Sequence, residues 1–190
     1  MTNIQLSPGL LDGSDIDPRW SLGPFGLLKL MPAKAKGKRF EQIAQDIFER
    51  RGMTVDRPTN SDHDRIVDGV TCEIKGSTIT KDSDDTFSFL QVRPAQDYQF
   101  LILETFWFDG TVKFHRIPKA EVHALVANRT FKPQHGGNNG NSGTYCYNGP
   151  VSAFDEWFWF EVKVTGQHTW TEDPSTWPDM TTLLDMKATA

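Results

Sequence analysis

Asp64, Glu73 and Lys75 sit within twelve residues of each other, in the stretch Asp64-Arg65-Ile66-Val67-Asp68-Gly69-Val70-Thr71-Cys72-Glu73-Ile74-Lys75. Two carboxylates and an amine on one short segment suit a divalent cation held beside a group that activates water. Asp68-Gly69 between β-branched runs is a strong two-residue signal for a type I′ hairpin, whose central positions both need positive φ. If Val67 pairs with Val70, Asp64 lies across from Glu73 and Asp62 across from Lys75. Directly opposed side chains have Cβ atoms only ~5 Å apart, and two like charges held that close require a compensating cation or proton. All-oxygen ligands of this kind suit Mg²⁺ or Mn²⁺. Strand alternation sends Glu73 and Lys75 to one face and Cys72 and Ile74 to the core. A Glu-x-Lys on a strand is more often a solvated salt bridge. An aspartate in register sets this one apart, with Asp62 and Asp68 as weaker partners.

The elements that must position these residues are legible around them. From Gly37 to Arg51 the apolar residues Phe40, Ile43, Ala44, Ile47 and Phe48 follow the spacing of an amphipathic helix, and Gly52 closes it. Glu41 lies about 100° around the helix from Phe40, at the edge of the apolar stripe, where it can look along a sheet instead of into water. Phe87–Val92 and the dense apolar run Phe100–Phe108 read as strands, the second central and buried. Asp109-Gly110 turns the chain into a further strand, Thr111–Ile117. Pro118 starts a short helix reaching about Asn128. Trp157–Val164 alternates as a last strand, with Phe158, Phe160 and Val162 on one side. Residues 132–150 are so rich in Gly and Asn that they are expected to form a loop, whose His135, Asn138, Asn139 and Asn141 could read base edges. Thr78–Asp85 reads as a polar link.

The sum is one α/β (α+β) domain over residues 1–190, a central mixed β-sheet flanked by helices. It comprises an irregular arm at 1–35 with a short helical turn near Phe25–Leu30, a core at 36–165 and a C-terminal extension at 166–190. With 190 residues and 37% hydrophobic content the chain can bury a sizeable core. No apolar run is long enough to span a membrane, no export signal is evident, and Cys72 and Cys146 suit a reducing compartment; a cytoplasmic location is expected. A net charge of −5 argues against nonspecific coating of nucleic acid. Positive charge is local, however: Lys34, Lys36, Lys38, Arg39, Arg50 and Arg51 outnumber Glu41, Asp46 and Glu49 in the segment 34–51. His63, Cys72, His115, His123, His135, Cys146 and His168 lack the paired spacing of a zinc site, and there is no Gly-x-Ser-x-Gly nucleophile motif.

Residues 36–105 resemble the PD-(D/E)XK nuclease superfamily, the fold of many restriction endonucleases and DNA-repair nucleases. In that family a helix carrying a glutamate precedes a hairpin with an aspartate on one strand and Glu-x-Lys on the next; Glu41, Asp64, Glu73 and Lys75 stand in those places. His63 replaces the proline that often precedes the aspartate, which keeps Asp62 open as an alternative. The segment Phe89-Leu90-Gln91-Val92-Arg93-Pro94 is similar to type II restriction enzymes in particular. The resemblance implies a restriction endonuclease-like core and Mg²⁺-dependent hydrolysis of DNA. Asp64, Glu73 and the Ile74 carbonyl would hold the metal, Lys75 would act on the attacking water, Glu41 would serve a second metal or its waters, and Gln91 would order the phosphate or the lysine. Lys38, Arg39, Ser77 and Arg93 join the loop residues as expected DNA contacts, and cleavage of both strands leads us to expect a homodimer. The rival readings are a nonspecific or repair-type nuclease, another hydrolase of RNA or small phosphates, and an inactive DNA-binding or assembly protein of the same fold.

Overall fold

The computed structural model describes residues 19–20, 23–80, 85–134 and 143–164. Helix α1, Gly26–Leu30, falls where the short helical turn was expected. Trp20, Phe25 and Leu28 are buried, so this part of the arm belongs to the core. Helix α2 runs from Ala33 to Arg50, four residues earlier than its apolar pattern requires, because Pro32 marks the start. The stripe Phe40, Ile43, Ala44, Ile47 and Phe48 is its buried face. The helix ends in a Schellman motif: Gly52 takes φ 81°, its N–H reaches the Glu49 carbonyl at 2.9 Å, and the Met53 N–H reaches Phe48 at 3.0 Å.

Short strand β1, Val55–Asp56, leads into β2, Arg65–Val67, and β3, Val70–Thr78. The predicted hairpin is present. Asp68 and Gly69 have φ of 49° and 78°, and Val67 pairs with Val70, Ile66 with Thr71 and Arg65 with Cys72. Asp68 also clasps β1's approach, its carboxylate accepting the Thr54 N–H at 2.8 Å while its own N–H donates to the Thr54 carbonyl.

Strand β4, Thr86–Val92, leaves this sheet, whereas β5, Phe100–Phe106, returns to lie parallel to β3. Leu101, Ile102, Leu103 and Phe106 are fully buried, as the apolar run predicts. The turn at Gly110 brings β6, Thr111–Pro118, antiparallel onto β5. Helix α3, Lys119–Ala127, follows, and β9, Phe158–Lys163, pairs with β6. The six-stranded mixed sheet has the order β1-β2-β3-β5-β6-β9. α2 covers one face of it: Phe48 packs on Phe114 and Phe160, and Phe40 stacks on Phe106.

Three expectations change. Residues 132–150 are not all loop: β7, Lys132–Pro133, and β8, Tyr145–Pro150, join β4 in a second sheet of order β4-β8-β7. Composition concealed this because few apolar side chains carry the packing, chiefly Tyr147, buried against Phe89, Phe131 and Phe154. The last strand is one residue shorter at each end than predicted, and a 3₁₀ turn, Val151–Trp157, precedes it. A register shift between Phe114 and His115 takes Phe158 off the core face, leaving it 48% exposed. The C-terminal extension at 166–190 and residues 81–84 of the polar link lie outside the described residues, and β3 itself extends to Thr78. Among the described residues no helix is long and apolar enough to cross a membrane.

Candidate active site

The β2–β3 hairpin delivers the predicted carboxylates, by a different route from simple register. Pairing holds as far as Arg65 with Cys72, and then the Asp64 N–H also bonds to the Cys72 carbonyl, at 2.9 Å. Asp64 stands at a bend just before β2, where the regular ladder ends. Asp64 therefore does not sit squarely opposite Glu73. Its carboxylate turns onto β3, where Oδ2 accepts the Ile74 N–H at 2.8 Å. Lys75 Nζ stands 3.9 Å from the same oxygen and pairs directly with Glu73 Oε1. Asp62 stays in the preceding loop with its N–H on Asn60 Oδ1, and no hydrogen bond or ion pair joins it to Lys75.

Cys72 and Ile74 point to the core, as alternation requires, but Glu73 is enclosed too, at 5% exposure. Burial pushes its carboxyl up to about 7; Lys75 opposes that rise and Asp64 adds to it. Glu41 reaches the same neighbourhood from α2. Burial raises its pKa and Asp64 raises it further, while Arg65 and Lys75 pull the other way. Its Oε2 is 3.3 Å from Arg65 Nη1. Arg65 also donates to Gln45 Oε1 at 2.9 Å and to the Asp64 carbonyl at 2.5 Å, tying helix to hairpin. The sequence reading passed over Arg65, although an arginine next to the candidate aspartate was a usable signal.

It also passed over Glu104. This residue lies on β5, opposite Gly76 on β3 and Phe114 on β6, fully buried. Its pKa is well above the ordinary value because of burial, then Glu41, then Asp64. One acid in the middle of the apolar run Phe100–Phe106 was the available clue.

Other predicted residues lie apart. Gln91 is exposed at a β4 irregularity, with φ 57° and its backbone N–H on Gln134 Oε1. Its side chain makes no hydrogen bond to the carboxylate cluster. Ser77 is 5% exposed, and its hydroxyl accepts the Ser88 N–H at 2.9 Å and donates to the Thr78 carbonyl. It fastens β4 to β3 and is withdrawn from the DNA contacts. Lys38 and Arg93 are exposed and Arg39 is half-buried on α2, bonded to Gln42. His135, Asn138, Asn139 and Asn141 lie outside the described residues.

The donor set fits a hard cation of open coordination. Asp64 and Glu73 are two carboxylates flanking one amine, and Mg²⁺ characteristically takes one or two carboxylates and completes its shell with water and substrate phosphate. Among the described residues no group of three or more His, Cys, Asp or Glu side chains is placed to hold a metal ion, so the site rests on these two carboxylates.

No family model matches the chain, and no curated protein matches it. Among solved structures, the chain is similar to a bacterial homing endonuclease, I-Ssp6803I, 14% identical, with 75% of this chain and 82% of that chain covered at a TM-score of 0.38. A likeness at that level transfers no residue roles, so the functional reading is built on the cluster around Asp64.

Proposed function

We propose that this protein is a metal-dependent DNA endonuclease of the PD-(D/E)XK type. The observation that supports it most is the docking of the Asp64 carboxylate on the Ile74 N–H, beside a Lys75 ammonium paired with Glu73. That arrangement places an acid, an acid and a lysine on one rigid hairpin. Rigid elements hold reacting groups more closely than loops do.

Asp64 and Glu73, with the Ile74 carbonyl, would hold Mg²⁺ or Mn²⁺. When bound, the cation supplies charge to polarise a phosphoryl oxygen and to acidify a water. Lys75 would orient the attacking water toward phosphorus; the water oxygen bonds to phosphorus as the bond to the sugar oxygen breaks, the water's proton passing to solvent and the departing sugar oxygen taking one up. Glu41, braced by Arg65, holds water or a further cation on the α2 side. Lys38, Arg39 and Arg93 contact the phosphate backbone and fix the duplex without reading its sequence. Recognition of a specific site, in the manner of a type II restriction enzyme, and a homodimer that brings two sites to two strands complete the proposal.

The test is incubation of the protein and of Lys75→Ala with plasmid and phage DNA, in Mg²⁺ or in EDTA. Discrete fragments from the parent protein in Mg²⁺ alone are expected. Smearing would indicate a nonspecific nuclease, and the absence of any cleavage would refute the assignment.

A further inference from the structure

Leu90 and Gln91 break the ladder between β4 and β8. Phe89 pairs with Tyr147 and Val92 with Tyr145, so two residues of β4 stand against the single residue Cys146, as in a β-bulge. Phe89 and Val92 on either side are fully buried, whereas Leu90 is 51% exposed, the most exposed of the large apolar side chains among the described residues. Gln91 takes φ 57°, a conformation that a residue with a Cβ keeps only where its surroundings hold it. Gln134 holds it, its Oε1 accepting the Gln91 N–H at 2.7 Å. A lone exposed leucine needs no explanation, but one presented on a strained and fastened bulge does.

The bulge stands on the flank of the proposed site. β4 lies antiparallel beside the end of β3, joined to it by the Ser88 N–H on the Ser77 hydroxyl at 2.9 Å and by the Thr80 N–H on the Thr86 carbonyl at 2.8 Å. Two residues beyond Ser88 comes Leu90, and two residues before Ser77, on the same face of β3, comes Lys75. Charge on the small sheet points to one class of partner. Across residues 86–93, 132–134 and 144–150 the charged side chains are Arg93 and Lys132, both exposed, in a chain whose net charge is −5. Pro133, next to Lys132, pairs with Tyr145, which pairs with Val92, so both cations border the bulge. An apolar tip between cations fits a polyanion with an apolar interior, which is duplex DNA with its phosphates outside and its stacked bases within.

We propose that the Leu90–Gln91 bulge is a wedge that enters the base stack of duplex DNA near the scissile phosphate, Leu90 parting neighbouring base pairs while Arg93 and Lys132 contact the backbone. The proposal rests on the nuclease reading for its partner. Apolar wedges unstack base steps and kink the duplex, and the cost of unstacking is lowest where pairing is already faulty.

The experiment measures binding by fluorescence anisotropy in EDTA, where nothing is cut, for the parent, Leu90→Ala and Leu90→Gln. The probes are fluorescein-labelled duplexes of one sequence, fully paired or carrying a single mismatch. The parent should bind the mismatched duplex ~10-fold more tightly, and both variants should lose most of that preference while melting close to the parent, because Leu90 is exposed. A parent without the preference, or folded variants that keep it, would overturn the inference even if the parent cleaves DNA. Sedimentation of each protein without DNA is the second arm: self-association that depends on Leu90, with DNA binding that does not, would reassign the bulge to a contact between copies of the chain and overturn the wedge. A Leu90-dependent mismatch preference in a parent that cleaves nothing in Mg²⁺ would support the wedge and refute the nuclease assignment.

Discussion

The Asp64 carboxylate accepts the backbone N–H of Ile74 at 2.8 Å. An acidic side chain just before β2 thereby extends the contact with β3 beyond the ladder, which holds the carboxylate against the segment carrying Glu73 and Lys75. Asp64→Asn can keep that bond through its amide oxygen while losing the charge. We expect cleavage to fall by ~100-fold or more with the melting temperature nearly unchanged. Asp62→Asn, whose carboxylate lies in the loop, should cleave at close to the parent rate. Parallel DNA-cleavage assays decide it, and the reverse order would reassign the metal-binding aspartate.

Arg65 joins Glu41, Gln45 and the Asp64 carbonyl. Replacing it with Met leaves Glu41 short of its main compensating charge and frees the start of β2 from α2. Urea denaturation of Arg65→Met at pH 7 should show a loss of about 1–3 kcal/mol, with a larger proportional loss of cleavage than any surface Arg→Met control.

Gly76→Ala should destabilise for a reason unrelated to backbone freedom. A Cβ at this position would lie 2.2 Å from Phe40 Cγ, and the ring is held in its stack with Phe106, so α2 must move away from the sheet. About 1–3 kcal/mol is expected from overpacking, together with weaker cleavage because Glu41 rides on the same turn. Equilibrium unfolding measures the first effect and the cleavage rate the second.

Glu73 provides a pH signature. Its folded pKa is raised to about 7 from 4.5, so the folded state holds its proton more tightly than the unfolded chain. The resulting stability is fully present below the ordinary carboxylate range and is lost as pH rises through about 7. Glu73→Gln has no such loss. The melting temperature of Glu73→Gln relative to the parent should therefore climb between pH 5 and pH 8 in EDTA, a comparison that also cancels His115, whose burial lowers its pKa to about 4. A flat difference would show that Glu73 is ionised throughout.

Local chemistry was enough to specify the Asp68-Gly69 turn, the buried stripe of α2 and the central position of β5, because turn dihedrals and hydrophobic periodicity depend on neighbours within a few residues. Asp64, Glu73 and Lys75 were legible for the same reason. They share one hairpin whose turn sets its pairing. The brace from Arg65 to α2 and the second sheet built around Tyr147 were not legible, since each depends on residues twenty or more positions apart in the chain. Glu104 shows the division most clearly. Its sequence neighbours mark it only as an acid in an apolar strand. The parallel return of β5 beside β3 and the closure of α2 over Gly76 turn it into a buried carboxyl on the face that α2 covers, because long-range strand order decides which side chains lose their water together.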